Sequence, residues 1–541
     1  MFHSKSEGLI KVIRSELSKD LLIVLSFTLF AVLVLSSSIH SPFKMGDHDG
    51  AGGCHWGTIA RNYIRYGYSA TKFGMVENGG LLTASEFRYH THHPPLTAII
   101  LSLGLKIFGI HEWSIRFVFI LFAVGVLGLF YFFSKELWNR RVAVLSSLFM
   151  LFTPMYLHFS SAADMVSIAL FFSIAAIYSY ARWLKTGSVT AIITLSIMFL
   201  LAVLSSWEAY YLIPAILYHN FLRDKKRGIN VLIPALGILS LCIYLIHTMV
   251  LIGSHDLMSN IRWAIYRTGL HTISQDPLFM LTYIKQIFVW IWFLFTPPVA
   301  ILALLFSLMY LRQNKEERLN GNYDFVALFL VFGALKYLLF INLCYYHSQR
   351  LYYFVPFFAL SASLATNAIL KKAKQPKIKA LLRLPLICLM IATPLFITRP
   401  VFELLHENDM RNSFKLSSNQ FHYEDDAREF LFYEGLKEHV QKKLGPQDMV
   451  LTNRWVPQFR FYLDRNTNET ISSIKRLEDI LETTRSGTAS SKDKKKMLFI
   501  FVDNGDDKSS DETKLLQYLE NNYSLIKSMR GSRFLIFDLN K

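Results

Sequence analysis

The chain has 541 residues, 52% of them hydrophobic and 18% charged, with a mean hydropathy of +0.31 and a formal net charge of +17. This excludes an ordinary soluble domain, which carries about 25% charged residues, and repeated apolar runs of roughly 18 residues or more mark a polytopic membrane protein. The surplus lysines and arginines fall in short clusters between those runs, so the charge speaks for a bilayer and against a nucleic-acid partner.

Lys5, Lys11, Arg14 and Lys19 make a basic N-terminal arm over residues 1–20. The apolar run 21–39 is too long for a signal-peptide core and has no small-residue cleavage site behind it, so it stays as an anchor. "MGDHDGAGGCHWGTIARNYIRYGY" (45–68) opens a long outer loop, 40–112, with Asp47, His48 and Asp49 where the first span leaves the bilayer. Behind them Ile59, Ala60, Tyr63 and Ile64 form an apolar helical stripe that Gly67 ends, with Arg61, Asn62 and Arg65 on the other, polar faces. Such a helix lies along the membrane surface or packs on protein. In "HTHH" (90–93), His90 and His92 share one face of an extended segment, which leaves a divalent metal open without fixing a ligand set. "LTAIILSLGLKIFG" (96–109) contains Lys106 and is too short to cross, so it reads as an interfacial or re-entrant helix.

Further spans are expected at 114–133, 142–160, 165–184, 189–205, 209–222, 230–252, 286–310, 325–343, 351–370 and 380–398, eleven in all. With that count the basic clusters at 134–141, 182–185, 223–228, 312–318 and 371–379 share the side of the N-terminal arm, which is the cytoplasm. The tail, 399–541, is charged and carries β-rich runs at 448–452, 497–503 and 533–539, with helical patterns around 424–443 and 512–522. The expected organisation is a cytoplasmic arm (1–20), an all-α transmembrane module (21–398) and an extracytoplasmic α/β domain (399–541). The protein would be integral to a plasma or inner membrane. Four cysteines make no disulfide scaffold; Cys242 and Cys388 sit inside apolar runs, and whether Cys54 and Cys344 pair is left open.

On this topology polar groups converge on the outer face. Asp47, Asp49, His92 and His93 come from the long loop, Asp164 from "SSAADM", Glu208 from "LSSWEAYYLIP", and His347 and Arg350 from "CYYHSQRLYYFVP". Acids at a membrane boundary are costly unless paired or wetted, so they mark a site. An acid placed to take a proton from a hydroxyl is the sharpest chemistry such a set allows, although Asp164 alone could be a helix cap.

An Asp-bearing outer loop, an "IAR" amphipathic helix, "HHPPL" opening a short apolar helix and "FGIHEWSIRF" entering the second span occur here in that order. The ordered set resembles the polyprenyl-phosphate-dependent glycosyltransferases of the GT-C superfamily, in particular the protein O-mannosyltransferase-like and lipid A aminoarabinose transferase-like enzymes. The resemblance implies a GT-C helical bundle and a sugar carried on a polyprenyl phosphate. It implies that Asp49, or else Asp47, stands for the first-loop general base and Asp164 for the acid of the next outer loop. It also implies that His93, just before "PPL", stands where the family has a lysine or histidine on the lipid phosphate. His92 replaces the acid of the aminoarabinose enzymes, and Arg116 corresponds to an arginine near the start of the second span. "RLYYFVPFFALSAS" (350–363) resembles the family's basic, Tyr- and Pro-containing helix. A donor with a phosphate leaving group needs a base for the acceptor and cations for the developing charge. Arg116, His93 and Arg350 suit the second task, with His92, Glu208 and His347 as further substrate-binding candidates. The acceptor would be an envelope lipid, glycan or protein. A transporter or flippase, and an envelope glycan polymerase or ligase, are the competing classes.

Overall fold

The computed structural model describes residues 2–37, 39–43, 48–223, 227–270, 278–372, 435–454, 456–467, 470–486, 495–503, 509–529 and 534–540. Asp47, Cys388 and the expected span 380–398 lie outside them. The chain forms two compact units, the first comprising Met1–Ile39, His92–Thr97 and Arg116–Ser418, the second His40–Thr91, Ala98–Ile115 and Asn419–Lys541.

The first unit is helical. Among the described residues, Ser18–Leu35, Glu112–Leu137, Val166–Thr186, Gly228–Tyr266 and Ser348–Lys372 are long and apolar enough to cross a membrane, and two bent pairs bring the number to seven. One pair, Arg140–Leu151 and Pro154–Ser161, bends by 64°. Thr153 caps the second member by accepting from Tyr156 N, and Pro154, which has no N–H to lose, occupies its first turn. The other pair, Phe279–Leu294 and Pro297–Arg312, bends by 111° where one continuous span, 286–310, was expected. Pro297 and Pro298 cause the break by excluding the helical conformation before them, and Thr296 takes a left-handed φ of 67°. The runs expected at 189–205 and 325–343 form the shorter helices Val189–Ser205 and Asp324–Leu339. The run at 209–222 is split into a tight turn, Trp207–Tyr211, and a helix, Leu212–Leu222. Val231, Ile238, Ile243, Ile246 and Val250 point outward from Arg227–Tyr266, a surface that lipid would cover.

One end of this bundle is tied by ion pairs. Asp20, fully buried, accepts from Tyr131 Oη at 2.8 Å and from Arg140 Nε at 2.7 Å, and also meets Lys135. Asp324 holds Arg223 and lies 2.8 Å from His219 Nε2. Asn322 Nδ2 donates to Leu137 O at 2.9 Å and Trp138 Nε1 to Gly321 O at 2.7 Å, so the two clusters adjoin.

In the second unit a five-stranded sheet has the order β4 (Asn466–Thr467), β3 (Met449–Thr452), β5 (Met497–Val502), β7 (Phe534–Asp538), β6 (Ser524–Met529). β3 runs parallel to β4 and β5, and β7 antiparallel to β5 and β6. The central strand β5 alternates: Met497, Phe499 and Phe501 pack with Leu477, Leu481, Leu515 and Leu519 of helices Ile474–Ser486 and Ser510–Asn522. Leu498, Ile500 and Val502 pack on the other side with Leu436, Val440, Phe459 and Leu463. Both faces are covered, which is why "MLFIFV" is apolar throughout.

Helix His48–Tyr66 belongs to this unit and packs on protein rather than lying bare. Arg61, read as a polar-face residue, is buried and donates to the carbonyls of Phe461 (2.9 Å) and Arg460 (2.8 Å), which end helix Val456–Leu463. Arg65 forks onto Asp464. Burial works to raise the Asp464 carboxyl, but Arg65, Arg61 and the Gly80 N–H together hold it below the usual range. A Cβ at Gly79 would stand 2.7 Å from Arg465 O, so glycine is required where this loop meets the tail backbone. Helix Leu96–Phe108 forms as the short apolar segment suggested, with Leu103 and Ile107 exposed.

Candidate active site

Asp324–Leu339 is apolar for most of its length, yet it carries Lys336. A lysine in such a helix needs a counter-charge. Glu208 supplies it: the Lys336 ammonium meets its carboxylate, and Arg350 Nη1 lies 2.7 Å from the same oxygen. Ser206 Oγ donates to the second oxygen. All three charged side chains are under a tenth exposed. Glu208 is presented by the turn Trp207–Tyr211 and Arg350 by the turn Ser348–Phe354, both tighter than α-helix. Within the trio one acid faces two buried cations, and Asp164 acts on Lys336 as well. Twelve residues separate Asp324 from Lys336 along one helix, about 18 Å, so this trio and the Asp324 cluster occupy opposite ends of it.

Other expected residues lie in the same unit. Asp164 is buried and close enough to interact electrostatically with Lys336. Its Oδ1 also accepts from Val166 N at 3.3 Å, two residues on, just before helix Val166–Thr186 begins behind Met165. Trp207 Nε1 donates to His92 O at 2.7 Å and Thr97 Oγ1 to Ser205 O at 3.2 Å, which pins the "HHPPLT" backbone beside the turn bearing Glu208. His92 and His93 are half-buried. His347 Nδ1 lies 3.2 Å from Gln349 Nε2, three residues from Arg350. Arg116 is buried and donates from Nη1 to Ile39 O at 3.2 Å.

In the second unit Asp49 sits, half-buried, in the first turn of His48–Tyr66, where a helix N-terminus favours a carboxylate. Here too His55, Glu77 and His90 come together, whereas "HTHH" is divided: His90 belongs to this unit, His92 and His93 to the first. Burial works to raise the Glu77 carboxyl, but His90, Arg460 and His55 hold it far below the usual carboxylate range. Cys54 and Cys344 are both free thiols. Two participants escaped the sequence reading. Lys336 had a signal, a lone lysine inside an apolar run; Glu77 had none, because its neighbours assemble only on folding.

Residues 92–252 match the family model of dolichyl-phosphate-mannose-protein mannosyltransferases. ArnT from Cupriavidus metallidurans bound to undecaprenyl phosphate aligns with a TM-score of 0.56 at 13% identity, over 95% of this chain and 97% of that one. The apo ArnT aligns at 0.53 and 12% identity over the same shares. An Archaeoglobus fulgidus oligosaccharyltransferase in complex with Zn and sulfate reaches 0.48 at 12% identity, over 88% of this chain and 68% of that one, too weak a likeness to add to the fold assignment. Among curated protein sequences none matches. The fold, a helical membrane bundle with a small C-terminal sheet region, is ArnT-like. The family match likens residues 92–252 to membrane mannosyltransferases, and the ArnT-like fold extends over 95% of the chain.

Proposed function

We propose that the chain moves a monosaccharide from a polyprenyl-phosphate donor to an envelope lipid, glycan or protein on the extracytoplasmic face. Its N-terminus is then cytoplasmic and its C-terminal domain outside. Asp49 is the proposed general base, with Asp47 as its substitute and Asp164 in support. His92, His93, Arg116, Glu208, His347 and Arg350 bind the donor and its phosphate, and Lys336 joins them. The observation that carries the reading is the pair of buried cations, Lys336 and Arg350, gathered on Glu208, donors that suit a phosphate monoester or diester. It lies at the opposite end of helix Asp324–Leu339 from the ion-paired end where the basic clusters gather. The phosphate is already a good leaving group, so a base and fixed cations suffice and a strong general acid is unnecessary. ArnT, captured with undecaprenyl phosphate, has the same fold and supports a donor of that chemistry.

The test is reconstitution in liposomes with either donor class on each side. Sugar should be released from polyprenyl-phosphate donors and not from nucleotide sugars. Turnover with nucleotide sugars alone would overturn the proposal, and net movement of lipid-linked sugar without cleavage would favour the flippase reading. Sidedness is checked separately by cysteine labelling in intact cells. Cysteines replacing Lys185 and Lys315 should be protected from an impermeant reagent, and one replacing Lys442 should react. Lys185 and Lys442 reacting from the same side would reverse the topology.

A further inference from the structure

The histidines and acid that gather in the second unit are not needed for the chemistry proposed above. Strand β1 (Met75–Val76) pairs antiparallel with β2 (Tyr89–His90), Met75 opposite His90 and Val76 opposite Tyr89. The pairing continues with Glu77 N donating to Arg88 O at 2.9 Å. Glu77 and His90 are therefore diagonal neighbours on one face of the hairpin, and His90 Nδ1 lies 3.5 Å from Glu77 Oε2. Helix His48–Tyr66 adds His55, whose ring stands edge-on to that of His90 with centroids 4.5 Å apart. Ligand atoms from His55, Glu77 and His90 all lie within 4.8 Å of one another. The other carboxylate oxygen, Glu77 Oε1, faces Arg460 Nη1 at 3.4 Å, which leaves Oε2 to the imidazoles.

We propose that His55, Glu77 and His90 form a binding site for one divalent transition-metal ion of the zinc type. Two imidazole nitrogens and one carboxylate oxygen are a borderline donor set that suits zinc, cobalt or nickel, whereas magnesium and calcium prefer all-oxygen surroundings. Zn–N and Zn–O bonds near 2 Å put tetrahedral ligands about 3.3 Å apart. The His90–Glu77 pair already has this spacing, and the wider approach needs only rotation of half-buried side chains. Water completes the shell. Asp49 lies six residues before His55, about 9 Å along the helix axis, so the ion does not take the proposed base as a ligand. It clips that helix to the β1–β2 hairpin, and the site stands whether or not the catalytic roles above are right.

The experiment uses the full-length protein in detergent, stripped with chelator and titrated with zinc in competition with a chromophoric chelator, and with cobalt for its visible absorption. Wild type should bind one tight equivalent and show a raised Tm with zinc. Glu77→Gln and His90→Ala should weaken that affinity at least about 100-fold, beyond the loss typical of outer-shell partners, and should lose the cobalt spectrum. His92→Ala and His93→Ala should keep both. No tight equivalent in the wild type, or unchanged affinity in Glu77→Gln, would overturn the proposal and leave the cluster as a hydrogen-bonded strut. Glu77→Gln preserves side-chain shape, and its metal-free Tm, compared with the wild-type value, separates lost metal from lost folding.

Discussion

Asp49→Asn should lower sugar transfer by about 10²–10⁴-fold, the range a positioned general base contributes, while the protein still folds. The amide keeps the size of the side chain but cannot take a proton from an acceptor hydroxyl. Its structural cost is small: Asp49 is half-buried in the first turn of His48–Tyr66, where loss of a carboxylate costs about 0.3–1 kcal/mol. Asp164→Asn should also be severely impaired, and that variant separates two roles. Asn accepts from a backbone N–H as Asp does, so the bond from Val166 N survives the change and only the charge facing Lys336 is lost. The measurement is the initial rate of the purified variants at saturating lipid donor, with Tm in parallel. Full activity in both variants would remove the base and its support together, and loss only in Asp47→Asn would move the base by two residues.

What could be read from the sequence follows how local each signal is. Among the described residues, apolar period and length give five helices long enough to cross and two more as bent pairs, and the 13-residue run at 96–108 is too short to be mistaken for one. Alternating inner and outer polarity is absent from β5, whose continuous apolar run reflects cover on both faces. Strands β4 and β6 and helices Val456–Leu463 and Ile474–Ser486 were not foreseen. β4 has two residues, and β6 presents an exposed, polar pattern, so neither offers a periodic signal. The break at Thr296 was legible in "TPP", but hydropathy averaged over a window ran through it. Arg61 shows a different limit. Helical periodicity put it on a polar face, and the structure turns that face toward the carbonyl end of a helix some 400 residues later. Site residues behaved alike. Glu208 and Arg350 could be picked as costly charges near the membrane, but that Glu208 gathers both Arg350 and Lys336 is a tertiary fact. So is the meeting of His55 with Glu77 and His90.

Glu208→Gln should damage the protein far more than Lys336→Met, although each removes one charge from the same trio. Without Glu208 the two buried cations lose the acid they share and only Asp164 is left to offset them, and breaking a buried pair in this way costs about 3–5 kcal/mol. That variant should express poorly or melt early. Lys336→Met instead leaves Glu208 and Arg350 as a one-to-one pair in an apolar helix that accommodates methionine, and its Tm should stay near the wild-type value. What it loses is one of the two buried positive charges. If that charge meets the lipid phosphate, a charge-assisted hydrogen bond worth about 1.5–3 kcal/mol disappears, and KM for the donor rises by roughly 10–150-fold. kcat should fall less than KM rises if the contact is made equally in the ground state and the transition state. Lys336→Met unfolding as readily as Glu208→Gln would make the trio a structural clasp. An unchanged KM in a stably folded Lys336→Met would place the phosphate on other residues, with Arg116 and His93 the next to be tested.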